Sequence, residues 1–367
     1  MAKRQKQTAP TPPPYPLALI AKPLLDWYQQ NKRDLPWRNS PTPYHVWVSE
    51  IMLQQTRVET VKPYYVRFMD TLPTVHDLAE AEEDTLLKLW EGLGYYSRVR
   101  NMQKAAKQIC SAFDGQIPSE KEQLLSLSGI GPYTAGAISA FAFGKAEPAV
   151  DGNVLRVVAR LLADDRNVLD QSTREDIEIA LKQVIPPDFA GDFGQALIEL
   201  GALVCLPNRG EVKCAQCPLA HLCQAKAQGL VDILPTRFKL QTKKTEKKTV
   251  LLYTLGQTIY IRKRNPKGLL AGLWEFPQVA SHLNETDMAT YLQGKGIFAT
   301  SIQKLPEAKH IFTHLVWDMV GYHICLASPP SFDDGVFVPI SALKEDYAIP
   351  SAFSAYKKVC LSEDFIK

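Results

Sequence analysis

Four of the seven cysteines fall within residues 205–223, as Cys205, Cys214, Cys217 and Cys223, spaced C-x8-C-x2-C-x5-C. Four thiolates at that density suit a soft metal centre, either a tetrahedral zinc or the corners of a [4Fe–4S] cluster. Zinc sites more often pair two CxxC units, whereas one CxxC between two longer arms leans toward the cluster. A disulfide pair is the competing use of these thiols, and it belongs to oxidising compartments. The N-terminus opens Met1-Ala-Lys-Arg-Gln-Lys and runs on through prolines to Pro16, with no apolar signal-peptide core. A reducing, cytoplasmic setting is therefore expected, with residues 1–16 a disordered tail.

Two carboxylates are the other groups able to do chemistry. Glu50 lies in Trp47-Val-Ser-Glu-Ile-Met-Leu-Gln-Gln-Thr56, where its helical neighbours Val46, Trp47 and Leu53 are apolar. A carboxyl on that face is desolvated, so its pKa should rise. Asp151, in Pro148-Ala-Val-Asp-Gly-Asn-Val154, sits just ahead of a helical run through Leu155, Val158 and Leu162. Amide donors and the helix dipole should keep it ionised with a low pKa. One protonated and one ionised carboxyl is the division of labour in glycosidic-bond cleavage, with acid on the leaving group and anion beside the oxocarbenium ion. The plainer readings are a snorkelling Glu50 and an Asp151 that only caps a helix. The two acids lie on either side of a third signal that favours the chemical reading.

That signal is Leu124-x-x-Leu127-x-Gly129-Ile130-Gly131-x-x-Thr134-Ala135, a tight G-h-G turn between two helical segments. Gly129 and Gly131 let the backbone turn sharply and approach a ligand, and the amides opening the next helix can bind phosphate oxygens. The surrounding elements read as helices at Val46–Phe68, Asp84–Trp90, Arg98–Phe113, Thr134–Phe143, Val154–Ala163, Thr173–Val184 and Phe193–Val204. Apolar runs such as Ala135–Phe143 stop short of the roughly 20 residues that a membrane-spanning helix needs, so no membrane is expected.

Net charge is only +3, but Thr236–Lys248 holds six cations against Glu246 and reads as an exposed basic linker over 236–248. Beyond it the pattern turns to strands at Thr249–Leu255, Thr258–Arg264 and His310–Leu326, with short helices at Met288–Gln293 and Ser351–Val359. The chain thus reads as multidomain, an all-α domain over 17–235 followed by an α+β domain over 249–367.

Taken together, "SEIMLQQT", "LSGIGPYTAGA", "VDGN" and the cysteine loop resemble the adenine DNA glycosylases of the MutY type, within the endonuclease III superfamily. The likeness extends to "GLLAGLWEFP" at 268–277 and "HIFTHLVW" at 310–317, and covers nearly the whole chain. It implies a helix-hairpin-helix glycosylase domain with an iron–sulfur loop and a Nudix-like domain that reads 8-oxoguanine. It also implies a monomer acting on double-stranded DNA at A:8-oxoguanine or A:G mispairs, in a bacterial-type nucleoid, with one structural [4Fe–4S] cluster and no nucleotide cofactor.

Residue by residue, the resemblance makes Glu50 the acid that protonates N7 of a flipped-out adenine and Asp151 the stabiliser of the sugar cation. Tyr133, where lyase members carry a Schiff-base lysine, and Asn153 would position these groups and the attacking water. Trp37, Arg38 and Gln195 would line the adenine pocket. Leu53, Gln55, Thr56 and Tyr95 would form the wedge facing 8-oxoguanine, with Phe312, Thr313 and His314 on the recognition loop. Gly129 and Gly131 would meet DNA phosphate, and Cys205, Cys214, Cys217 and Cys223 would hold the cluster.

Three departures stand out. Family members commonly carry serine where Thr313 stands. They usually have six residues between the first two cysteines, where Leu206–Lys213 makes eight. The R-E-h-x-E-E-x-G helix of a Nudix hydrolase is missing between Lys248 and Lys367, so recognition without hydrolysis is expected there. The competing functions are an endonuclease III-like pyrimidine glycosylase with lyase activity and a catalytically silent lesion-binding protein.

Overall fold

The computed structural model describes residues 16–237, 243–332, 334–362 and Phe365. The expected tail lies outside them except for Pro16, which is buried in a turn. Two compact units divide the chain. One takes Met1–Glu80 and Asn101–Lys239, the other Ala81–Arg100 and Leu240–Lys367.

The helices before the sheet are α1 (Ala21–Asn31), α2 (Pro43–Leu53), α3 (Val58–Thr71), α4 (Val75–Glu80), α5 (Glu83–Leu89) and α6 (Ser97–Ala112). They continue with α7 (Lys121–Leu125), α8 (Pro132–Phe143), α9 (Gly152–Leu162), α10 (Gln171–Lys182), α11 (Ala190–Leu203) and α12 (Gln224–Ala227). None of the described helices is long and apolar enough to cross a membrane.

Within the first unit, α8 is buried almost all round, from Thr134 to Ala140, and packs on α2 and α11. A helix apolar on every side belongs inside a core, which explains why α8 lacks an amphipathic stripe. Gly136 and Gly191 let neighbouring backbone come close, since a Cβ on Gly136 would collide with the Pro148 carbonyl and one on Gly191 would lie 2.9 Å from that of Ala140. The helical run expected over Val46–Phe68 is in fact two helices. Gln55 takes a left-handed φ of 57°, and Thr56 N closes a turn onto Leu53 O at 3.2 Å. The break escapes the hydrophobic pattern because α2 and α3 pack against each other across it.

The second unit is a mixed sheet of β1 (Lys244–Leu255), β2 (Thr258–Lys263), β3 (Trp274–Glu275), β4 (Gln278–Val279), β5 (Ala299–Ile311), β6 (Leu315–Leu326) and β7 (Gly335–Pro339). Strand order is β3-β2-β1-β6-β5, with β4 on β1 and β7 on β2. Among the described residues, only β1 and β6 run parallel. Helices α13 (Glu285–Gly294), α14 (Ala342–Glu345) and α15 (Ser354–Cys360) complete the unit. Val250 and Leu252 face a core with Phe353 and Tyr356, while Leu251 and Tyr253 face another with Met288 and Leu292. Both faces of β1 are therefore covered over Val250–Tyr253, which is why that part reads as a continuous apolar run.

Two expectations for this region need correction. Residues 244–248 of the supposed linker are strand, paired from Lys244↔Leu315 onward. Their polar side chains find partners only in three dimensions: Lys248 lies 4.7 Å over Trp317, whose Nε1 donates to Glu246 at 3.2 Å. The single extended stretch expected at His310–Leu326 is a hairpin, β5 to β6, turning at Phe312–His314.

Residues 81–100, expected inside the helical domain, cluster with the sheet. Lys88 Nζ donates to the carbonyls of Lys344 (2.7 Å) and Tyr347 (3.1 Å), Lys263 pairs with Asp84 at 2.8 Å, and Glu91 accepts from both Lys88 and Lys357.

Gly136→Ala should lower stability by about 1–3 kcal/mol through overpacking against fixed backbone. Chemical denaturation checks this, and an unchanged midpoint would show that α8 can shift away from Pro148.

Candidate active site

A cleft of about 1630 Å³ in the first unit gathers most of the residues singled out in that unit: Trp37, Arg38, Glu50, Leu53, Gln55, Thr56, Gly129, Gly131, Tyr133, Asp151, Asn153 and Gln195. That exceeds the roughly 300–1,000 Å³ of ordinary small-molecule pockets and suits an open groove for a polymer.

Glu50 projects from α2, whose start is fixed by Thr42 capping His45 N at 3.3 Å and by Pro43 in the first turn. It is 7% exposed, and Tyr133 from the first turn of α8 donates its hydroxyl to Glu50 Oε2. Burial pushes the Glu50 carboxyl up to about 7; Tyr133 and, more weakly, Arg38 oppose this, and Asp151 adds to it. The rise expected from its apolar neighbours is present.

Asp151 caps α9. Its Oδ1 accepts from Asn153 N and Val154 N, both at 2.8 Å, and Oδ2 accepts from Asn153 Nδ2 at 2.6 Å. Here the expectation of a low pKa is corrected. Burial raises the carboxyl, and the three donors with nearby Arg156 limit that rise without reversing it. The donors still favour the ionised form locally, since a protonated carboxyl accepts them less well.

Asn153 is itself held, its Oδ1 accepting from Arg156 Nη2 at 2.8 Å and its Cβ packed where a side chain on Gly201 would come within 2.6 Å. Arg156 also donates to Gly201 O (2.8 Å) and Cys205 O (2.7 Å), tying the capped end of α9 to the cysteine loop.

At the hairpin, Gly129 has φ +77°, and a Cβ there would meet Asn101 Cβ at 2.6 Å. Gly131 is extended, so it is not needed for a left-handed turn. Nothing lies within 4 Å of where its Cβ would be, which leaves the N-terminus of α8 approachable. Pro132 at the first position lacks an amide, so the free donors there begin at Tyr133.

The cysteines converge as well. Cys205 follows α11, Cys214 opens a 3-10 turn that Cys217 closes, and Cys223 precedes α12; all four line one cavity whose wall includes apolar Val157, Leu161, Leu200, Val204 and Leu219 as well as Arg160 and Lys226. Buried Arg160 donates to Cys205 Sγ at 3.2 Å and to Leu206 O at 2.8 Å, an arrangement that suits a thiolate. Burial pushes the Cys217 thiol up to about 12 and raises that of Cys223, with neighbouring sulfurs adding to both, so a thiolate at either position calls for a bound cation. The donor set fits a metal–sulfur group. Among the described residues no three ligating groups close on a single-ion site.

The remaining residues lie in the second unit. Tyr95, 47% exposed and at φ 46°, forms a 2.6 Å hydroxyl–hydroxyl hydrogen bond with Thr313 in the β5–β6 turn. Phe312 is packed edge-on against Trp317 (4.9 Å) and His310 (4.5 Å), so it supports the loop from within. His314 completes the turn and is exposed.

Sequence reasoning missed Glu199, Arg33, Arg156 and Arg160. Glu199 and Arg33 line the cleft, and Arg156 and Arg160 brace the cysteine loop. Glu199 carried a usable signal, an acid inside the apolar run Ala196–Val204, the same signal that marked Glu50.

This fold and site define a helix-hairpin-helix base excision protein. Residues 48–187 match the family model of the HhH-GPD superfamily base excision DNA repair proteins, and residues 249–358 match that of the NUDIX domain. An adenine DNA glycosylase of Arabidopsis thaliana is 37% identical over 348 residues, covering 80% of this chain and 55% of its own length. The human protein of that name is 35% identical, with coverage of 80% and 64%. One from Buchnera aphidicola (Baizongia pistaciae) is 34% identical, with coverage of 80% and 82%. The chain belongs to the adenine DNA glycosylase family. It spans only part of its plant and human relatives. A solved thermostable thymine-DNA glycosylase shares the fold of the helical unit, with 25% identity, a TM-score of 0.53, and coverage of 58% of this chain and 97% of that one.

Because Glu50 has a folded pKa near 7 against an ordinary 4.5, its stabilising contribution is fully present below about pH 4.5 and is lost as pH rises through about 7. Glu50→Gln should therefore match the wild type at pH 4 and be more stable by roughly 3 kcal/mol at pH 8. Equal unfolding free energies at pH 8 would contradict the desolvated carboxyl.

Proposed function

We propose that this protein is a monofunctional DNA glycosylase that removes adenine mispaired with 8-oxoguanine or guanine. The observation that carries this is the pairing in one cleft of buried Glu50, its carboxyl pushed up to about 7, with helix-capping Asp151. The N-glycosidic bond is unreachable inside a stacked duplex, so the adenine must be extruded into the cleft, at a cost of a few kcal/mol that pocket contacts offset.

With a pKa near 7, Glu50 carries a proton in a sizeable fraction of molecules at neutral pH and donates it to N7 of the base. The C1′–N9 bond then breaks, its electron pair leaving with adenine. Asp151, whose three hydrogen bonds favour its ionised form, faces the cationic sugar until water adds at C1′ and gives up its proton to the Glu50 carboxylate left by the first transfer. Asn153 aims Asp151, and the Tyr133 hydroxyl holds Glu50 Oε2 so that the other oxygen serves as the acid. Tyr133 offers no amine, which supports hydrolysis over Schiff-base lyase chemistry. The open backbone at Gly131 and the start of α8 suit a DNA phosphate.

In the second unit, the Tyr95–Thr313 pair and the β5–β6 turn would read the opposing 8-oxoguanine. Helix α13 offers only Glu285 and Asp287 as acids and no Nudix metal motif, so this unit would bind without hydrolysing. The four cysteines would hold a [4Fe–4S] cluster, which when bound supplies a rigid tie for the loop. Exposed Arg209 and Lys213 in its lengthened first arm would then face the DNA backbone.

Single-turnover release of free adenine from an A:8-oxoguanine duplex should fall by at least about 10²-fold in Glu50→Gln and Asp151→Asn. Unchanged rates in both would remove the assigned roles, and a strong borohydride-trapped adduct with the wild type would favour the lyase reading instead. Anaerobically purified protein should contain iron and acid-labile sulfide in equal amounts, reduced in Cys217→Ser; zinc in their place would overturn the cofactor assignment alone.

A further inference from the structure

Glu199 has no exposed surface although it borders the cleft. Its Oε1 accepts from Arg33 N (2.9 Å) and Nε (2.7 Å), and its Oε2 from Arg33 Nη2 (2.9 Å) and Arg38 Nη2 (3.2 Å). The rest of the Arg38 guanidinium is committed too, Nη1 to Arg33 O at 2.8 Å and Nε to Gln195 Oε1 at 2.9 Å, and it lies 5.7 Å over the Tyr28 ring.

A guanidinium has donors only, so the end of the Gln195 amide that meets it must be the carbonyl oxygen. The amide NH₂ is then the end left for a ligand. Buried carboxylate, guanidinium and amide form a chain in which each link sets the direction of the next, and Gln195 lies one turn before Glu199 on the same helix, α11.

We infer that Glu199 is a positioning residue for base recognition: by fixing Arg38 it fixes the Gln195 amide, so that an NH₂ donor rather than a carbonyl meets the extruded base. The complementary ligand edge is one with an acceptor, as the ring nitrogens of a purine provide. This rests on the reading that the cleft receives an extruded adenine. A purely structural Glu199 would need only to neutralise Arg33; the bond onward to Arg38 is what links it to Gln195.

The test is a double-mutant cycle on single-turnover adenine release. Glu199→Gln should slow release by on the order of 10²-fold, the cost of a small misplacement of a contacting group. In a Gln195→Ala background the same change should cost no more than about twofold. Equal effects in both backgrounds would overturn the proposal. Should Glu199→Gln fold poorly, Glu199→Asp keeps the charge but is one methylene too short to span both arginines, and takes its place in the cycle. Crystal structures of these variants give a readout independent of activity: an Arg38–Gln195 hydrogen bond unchanged from 2.9 Å would also refute the role. A wild type that releases no adenine would instead refute the glycosylase reading.

Discussion

A carboxylate taken out of water must find a proton or a cation, and the helical unit is organised around two that are answered in opposite ways. Glu50 is given a neutral hydroxyl from Tyr133, and burial drives it toward its protonated form. Burial would raise Glu199 as well, but Arg33 and Arg38 outweigh it and hold that carboxyl below its ordinary range. The burial of Glu50 needs the close approach of α2, α8 and α11, which the small residues of α8 and α11 permit, and the clamp on Glu199 needs the segment between α1 and α2 to reach α11. A looser core would admit water, and Glu50 would titrate like a surface acid.

Asp151 adds a third solution, a carboxylate shared among amides at a helix start. Its geometry is passed on from Arg156, which grips Asn153 on one side and the Cys205 carbonyl on the other. The cysteine loop is thus part of the scaffold behind the cleft even though no cysteine lines it. The eight residues between Cys205 and Cys214 are held at their base and tip: Lys213 N donates to Val204 O at 3.0 Å, and Gly210 N donates to Asp232 Oδ1 at 3.1 Å. Lengthening a closed loop by two residues costs little entropy, so the loop ends stay in place.

In the second unit the sheet holds the β5–β6 turn in place. Strands β5 and β6 are long and antiparallel, and Phe312 anchors the turn into the core through Trp317. Thr313 places a hydroxyl in this turn, and that hydroxyl has Tyr95 as a partner. Tyr95 comes from the 81–100 segment, which ion pairs and capped carbonyls bind to this sheet.

The candidate site residues were legible because each breaks a local pattern: an acid in an apolar helix, an acid before a helix, glycines in a hairpin, clustered thiols. Glu199 breaks the pattern in the same way, yet it could not be told from a misplaced surface acid until Arg33, 166 positions away, was seen beside it. The direction of the Asp151 shift also escaped prediction, since capping is local whereas burial is the sum of everything packed around it. The sequence by itself determined the two architectures, the hairpin, both carboxylates and the cysteine set, because periodicity, turn chemistry and ligand type are properties of short segments. Only the tertiary structure decided the helix break at Gln55, the strand at 244–248, the place of residues 81–100 and the arginine clamp on Glu199. Each of those depends on a partner far away in the chain, and short-range patterns carry no record of it.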